Sequence, residues 1–158
     1  MQRFGNSAPE AILSVDYGRA RIGLAIASVD ARVARPLTTL ERISRNEDMR
    51  RLRELVREHG VKQIVVGLPL LLDGTRGEMA EEAERFAQRA RKQIGVPVEM
   101  VDERLTSWEA ERLLEEQFGR IRKRRETRTV DALAAAVILQ EYLQQRAAET
   151  ESAGGRMP

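Results

Sequence analysis

The chain has no cysteine and only one histidine, His59. The absence of cysteine excludes a disulfide framework, a thiolate zinc site and a cysteine nucleophile. His59 stands just before Gly60 at the end of a predicted helix, where it reads as a surface or capping residue. No apolar run approaches the roughly 18 residues that a membrane span needs. Met1 to Pro9 has no apolar stretch after its basic residue, so no signal peptide is expected. The segment Gly67 to Gly74 lacks the Gly-Lys-Ser/Thr ending of a P-loop. No internal repeat or interdomain linker breaks the chain. These absences leave a cytoplasmic protein without membrane contact as the expectation.

What remains is 158 residues, the size of one domain able to bury its own core. The expected domain spans residues 1–146, and the small, polar stretch from Ala147 to Pro158 reads as a flexible tail. The net charge of +2 is unevenly spread. Gly119 to Arg128 holds Arg120, Arg122, Lys123, Arg124, Arg125 and Arg128 against one acid, Glu126, so the remainder is net acidic. Basic charge concentrated in this way suits contact with a polyanion, with a solvated loop as the plainer reading.

Hydrophobic patterning predicts an α/β fold. Ile12–Tyr17 and Ile22–Ala27 read as strands joined by a hairpin at Gly18–Arg21. Val33–Leu40 contains Pro36, which suggests an edge strand or a connection. Asn46–His59 has Met49, Leu52, Leu55 and Val56 at helical spacing. Ile64–Val66 is a short, wholly apolar strand running into Gly67, with Gly67 and Pro69 expected to shape a loop. Asp73-Gly74 marks a turn. Met79, Ala83, Phe86, Ala90 and Ile94 then define one helix face, ended by Gly95 and Pro97. Val98–Val101 is the next strand. Thr106-Ser107-Trp108-Glu109 has capping-box spacing, so Thr106 is expected to cap a helix reaching about Phe118. Trp108, in its first turn, is expected in the core, with stacking on a base as the alternative. Thr129 is the expected cap of a last helix from Val130 to about Gln145. The apolar run Ala132–Leu139 implies burial of that helix on most sides. Hairpin strands followed by β-α-β crossovers make a mixed sheet with helices on its faces.

Sites on such sheets form beyond the carboxyl ends of the parallel strands. Asp16-Tyr17-Gly18 ends one predicted strand, and Asp102-Glu103-Arg104 ends another. Asp131 stands in the first turn of the last helix, where it could simply complement the helix dipole. Asp16 is the hardest to dismiss. It follows Ile12-Leu13-Ser14-Val15 in what should be a central strand, where an unpaired carboxylate is costly to bury. It needs a cation, either Arg21 or a metal ion. Arg21 itself could instead bind phosphate. Acids converging at one sheet edge suit magnesium, which keeps waters and completes its shell with phosphate oxygens. Two such ions about 4 Å apart activate a water and stabilise the leaving oxygen of a phosphodiester. The basic segment would hold the nucleic-acid backbone.

These segments together resemble a known family. Asp16-Tyr17-Gly18, Arg21-Ile22-Gly23-Leu24-Ala25, Gly67-Leu68-Pro69, Asp73-Gly74, Asp102-Glu103-Arg104-Leu105-Thr106 and Asp131 before Ala134-Ala135 look like the YqgF/RuvX family. These are bacterial RNase H-like proteins described as pre-16S rRNA nucleases and Holliday-junction-resolvase-like proteins. The resemblance spans about Ile12 to Tyr142. It implies an RNase H-like, five-stranded mixed sheet flanked by helices. It implies a catalytic and metal-binding set of Asp16, Glu103 and Asp131 with Mg²⁺ or Mn²⁺, and maturation of the 5′ end of 16S rRNA. Glu103 is preferred over Asp102 on the family pattern; alternation says only that adjacent strand residues face opposite sides.

The chain departs from the family at Leu70-Leu71-Leu72, where a polar residue is usual, at Ala20, where Lys is common, and at Ser28, where Asp often stands. The expected substrate contacts are Arg21, Arg104, Arg122, Lys123, Arg124 and Arg125. The partner is a nucleic acid, with precursor rRNA favoured over branched DNA, bound by a monomer or homodimer. The alternatives are a Holliday-junction-resolvase-like endonuclease and a non-catalytic RNA-binding ribosome-assembly factor.

Overall fold

The computed structural model describes residues 10–119 and 127–154. Its centre is a five-stranded mixed sheet in the order β3-β2-β1-β4-β5. β1 (Ala11–Tyr17) and β2 (Arg21–Ser28) form the expected antiparallel hairpin, with Asp16 opposite Gly23. β3 (Arg35–Glu41) is an edge strand. Pro36 sits at its register shift, opposite Ala25, where a missing N–H costs no ladder bond. β4 (Val61–Leu68) and β5 (Val98–Asp102) run parallel to β1. Both extend past their predicted ends, and Gly67 belongs to β4 rather than to a loop.

α1 (Arg45–Glu58) precedes β4, and α2 (Glu78–Ile94) precedes β5, so both run back against the parallel strands. Ser44 caps α1 by accepting from the Glu47 amide at 3.1 Å. Gly95, at φ 85°, ends α2 in the left-handed region that glycine adopts freely. α1 and α2 pack with Leu13, Val15, Leu24, Ile26, Ile64 and Val66 on one face of the sheet. α3 (Trp108–Phe118) and α4 (Thr127–Gly154) cover the other face, over Ile12, Ala25, Ala27, Val65 and Val101.

The helix ends differ from the sequence reading in three places. Ser107, not Thr106, caps α3, accepting from the Ala110 amide at 3.1 Å. Thr106 instead closes a 3-10 turn at Glu103–Leu105, its Oγ1 donating to the Glu103 carbonyl at 2.8 Å. Thr129 lies within α4, which is already helical at Thr127 and continues beyond Gln145 to Gly154. The apolar run Ala132–Leu139 is buried as expected, except for half-buried Ala134, and Gln140, Tyr142 and Leu143 extend that burial. Gln140 is buried as a clamp: its amide accepts from the Ala34 N–H and donates to the Arg32 carbonyl, both at 2.8 Å. Among the described residues, no helix is long and apolar enough to cross a membrane.

Candidate active site

Side chains alternate along β1, and this sorts its last residues. Leu13 and Val15 point toward α1 and α2; Ile12, Ser14 and therefore Asp16 point toward α4. Ser14 is fully buried and donates to the Ala135 carbonyl at 2.6 Å, which pins α4 across β1. On the same face and at the same edge stand Glu103, just after β5, and Asp131, near the start of α4.

Two glycines allow that approach. A Cβ at Gly23 would lie 2.0 Å from the Asp131 carbonyl oxygen, so α4 touches β2 directly opposite Asp16. A Cβ at Gly67 would lie 2.6 Å from Glu103 Oε2, so β4 leaves the space that the Glu103 side chain occupies. In the sequence both glycines were visible only as parts of longer motifs. Their packing role depends on which backbone crosses them.

The electrostatics follow from this crowding. Burial, then the negative charges of Glu103 and Asp131, push the Asp16 carboxyl up to about 7. Glu103 is also raised, by burial and then by Asp102. Neither the Asp16 nor the Glu103 side chain has an ion-pair or hydrogen-bond partner among the described residues. Asp102 is different. Its carboxylate pairs with Arg104 at 2.8 Å and accepts from the Arg104 amide at 2.9 Å. The Arg104 hydrogen bond holds it below its usual pKa. Of the two neighbours, Glu103 is the one with a free carboxylate beside Asp16.

Arg21 does not pair with Asp16. Its Nε donates to Asp131 at 2.7 Å. Asp131 is thus held by a cation, and no group of three or more acidic or histidine side chains among the described residues is arranged to hold a metal ion. The donor set still fits a hard divalent cation. It offers carboxylates from three elements; two of them, Asp16 and Glu103, are half-buried, unpartnered among the described residues and raised in pKa, a penalty that a cation would relieve. Arg104 Nη1 also reaches the Leu72 carbonyl at 3.4 Å and so ties the 69–77 loop to the turn after β5. Arg122, Lys123, Arg124 and Arg125 lie outside the described residues. Trp108 is 71% exposed rather than in the core, with Arg112 stacked 5.1 Å from its ring centre. Leu72 is 97% exposed and Leu105 56%, so the surface near Arg104 is unusually apolar for an exposed one.

Comparison with known proteins agrees with this architecture. The sequence pattern of the RuvX family, described as Holliday junction resolvase, matches residues 10–145. A protein of Anaeromyxobacter sp. (strain K) named "Putative pre-16S rRNA nuclease" is 49% identical over 135 residues, which is 85% of this chain and 97% of that one. A protein of the same name from Chloroflexus aurantiacus is 44% identical over 135 residues, 85% of this chain and 87% of its own. Among solved structures, T. thermophilus RuvC in complex with a Holliday junction substrate aligns with a TM-score of 0.60, at 17% identity, over 87% of this chain and 96% of that chain. At that identity the likeness is one of fold, and the fold is RNase H-like.

Proposed function

This chain belongs to the RuvX family and is a nuclease acting on phosphodiester bonds, and we propose that it matures the 5′ end of precursor 16S rRNA in the cytoplasm, with Asp16, Glu103 and Asp131 as its metal-binding catalytic set. The observation that carries the site is the pair of unpartnered, half-buried carboxylates, Asp16 and Glu103, facing Asp131 across the carboxyl edge of the sheet. A structural pair of acids would be given cations; these two have none among the described residues.

A bound Mg²⁺ or Mn²⁺ would supply Lewis acidity at the scissile phosphate and lower the pKa of the attacking water. The chain's own groups do the rest. Asp16, near the end of β1, and Glu103, in the turn just after β5, would hold the ion with their carboxylate oxygens. The Asp16 carboxyl, raised to about 7, would be favoured in its ionised form by a cation held there. Arg21 neutralises Asp131 and sets its orientation, and its guanidinium is the cation beside the site that meets substrate phosphate. Arg104 holds the 69–77 loop and adds positive charge at the rim. Arg122, Lys123, Arg124 and Arg125 contribute sequence-independent backbone contacts.

The test is cleavage of labelled precursor rRNA with Mg²⁺ or Mn²⁺ by the wild type and by Asp16→Asn. Loss of at least 100-fold in rate is expected for the variant; equal cleavage by both would remove Asp16 from the site. The family description favours a second reading, a four-way DNA junction as substrate. Preferential cleavage of junctions over rRNA, by a protein that sediments as a dimer, would select it, because a two-fold enzyme matches two scissile strands. A non-catalytic assembly factor is disfavoured by the free acids, which would repel the phosphates of a ligand that was only bound.

A further inference from the structure

The carboxylates use one face of the sheet edge. The other face, at the same edge, carries a group of arginines with no role in that site. Arg45 is the first residue of α1, and Arg85 and Arg89 lie one turn apart on α2. Arg53 Nε donates to the Gln93 carbonyl at 3.3 Å, which sets the level of these two helices. They run in the same direction, so two turns back from that contact Arg45 comes level with Arg85, and Arg89 lies one turn in. Tyr17 joins the group to β1. Its ring packs 5.3 Å from Phe86, and Arg42 stacks on it at 4.9 Å while donating to the Gly18 carbonyl at 3.1 Å.

Three observations set this group apart from ordinary surface charge. Most charged side chains around it are paired: Arg19 with Glu82 and Glu78, and Arg42 and Arg51 with Asp48. The side chains of Arg45, Arg85 and Arg89 form no ion pair or hydrogen bond among the described residues. Arg89 Nε, like Arg51 Nε, is buried with no hydrogen-bond partner among the described residues, but Arg51 is paired with Asp48 through its Nη2, whereas Arg89 has no ion pair there. Burial, then the charges of Arg45 and Arg42, hold Arg89 below its ordinary pKa. The nearby acids, Glu82 and Asp48, are already engaged by other arginines. What the cluster lacks is an anion.

We propose that Arg45, Arg85 and Arg89, backed by Arg42, form a second phosphate-binding subsite, which grips the backbone of the nucleic acid as it crosses the end of β1 from the carboxylate face to the α1/α2 face. This rests on the nuclease reading for the identity of the polyanion. Bidentate guanidinium contacts suit phosphate oxygens, and the exposed Arg45 and Arg85 and the half-buried Arg89 have no side-chain counter-charge among the described residues to compete with them. The subsite reads no bases, so it adds affinity without sequence preference.

The experiment uses the full chain in EDTA, so that nothing is cleaved, with fluorescent single-stranded RNA titrated between 50 and 200 mM salt. An R45Q/R85Q/R89M variant is expected to bind about 10-fold more weakly and to lower the salt slope by about 2, while R57Q, in the last turn of α1 and far from Arg45, keeps the wild-type slope. Unchanged affinity and slope in the triple variant would overturn the subsite. R89M alone is expected to melt no lower than the wild type while losing RNA affinity, because it removes an unsatisfied buried donor. A lower melting temperature with unchanged RNA affinity would make Arg89 a structural residue and overturn the assignment. Calorimetry with inorganic phosphate covers the remaining source of the same chemistry. Phosphate binding lost in the triple variant, with RNA binding intact, would assign the cluster to a free anion and overturn the nucleic-acid proposal. Cleavage assays on D16N fail or succeed independently of these slopes, so failure of the catalytic assignment is distinguishable from failure of the subsite.

Discussion

Asp16 sits between Val15, which is fully buried, and Tyr17, which turns to the opposite face. Its carboxyl is raised from an ordinary 3.8 to about 7 by burial, Glu103 and Asp131, and this has a measurable consequence without any metal. Below about pH 4 the group is protonated in both the folded and the unfolded chain and costs nothing. Between about 4 and 7 the unfolded chain ionises first, so metal-free stability falls as pH rises through that window. Asp16→Asn is expected to abolish the fall. At pH 8 without divalent ions the variant should be more stable by roughly 2–4 kcal/mol, and at pH 4 the two should coincide. Urea unfolding at the two pH values checks this; a variant no more stable at pH 8 would mean that Asp16 is neither buried nor repelled. The residue scale also shows where a local pattern misleads. Thr106-Ser107-Trp108-Glu109 satisfied the capping spacing with Thr106 as cap, but the 3-10 turn uses Thr106 and shifts the cap to Ser107. That shift by one residue rotates the helix start, and Trp108 faces solvent instead of the core.

At the scale of elements, the entry to α1 depends on an acid that periodicity does not single out. Asp48 is 2% exposed and takes hydrogen bonds from the Ile43 amide at 2.9 Å, from Arg42 at 2.7 Å and from Arg51 at 2.8 Å. Burial opposes its charge, but the Ile43 amide and the two arginines outweigh burial and hold its pKa below the usual range. Arg42 in turn reaches Gly18 and Tyr17, so this one carboxylate couples the start of α1 to the end of β1. Asp48→Asn is expected to cost about 3 kcal/mol at neutral pH, because it leaves two guanidiniums without a counter-charge. The stabilisation exists above the unfolded pKa of an aspartate and is lost as pH falls through the depressed folded value. Thermal melts at pH 7 and in acid should therefore show a gap that closes as pH falls; a constant gap would assign the effect to packing. In a sequence, Asp48 is simply an acid in the first turn of a helix, and its burial requires the position of Arg42, which lies outside that helix.

At the scale of the whole molecule, strand order brings together acids that lie far apart in the chain. Placing β1 between β2 and β4 lets Asp16 meet Glu103 from beyond β5 and Asp131 from α4 on one face. Charge is likewise distributed so that an almost neutral chain is strongly positive in one stretch, residues 119–128. Replacing Arg122, Lys123, Arg124 and Arg125 by Gln should lower the salt slope of RNA binding by about 3, with single-stranded RNA as ligand. The rate at saturating RNA should hold while KM rises, because backbone contacts bind substrate and transition state alike. A fall in the saturated rate with no change in KM would place those residues at the reacting phosphate instead.

The sequence by itself determined the hairpin, the two crossover units, the apolar last helix and the acids available at strand ends. Each depends on local periodicity or on a residue's immediate neighbours: Ile12 to Val15 before Asp16, Gly95 after α2, and Ala132 to Leu139 along α4. It also carried the family pattern, which singles out Glu103. Only the tertiary structure decided that Arg21 pairs with Asp131 rather than Asp16, that Gly23 and Gly67 let α4 and Glu103 approach, and that Arg89 Nε is buried without a hydrogen-bond partner among the described residues. Those facts turn on which backbone lies a few ångströms from a given side chain, and elements far apart in the chain are brought that close only by the packing of helices onto the two faces of the sheet.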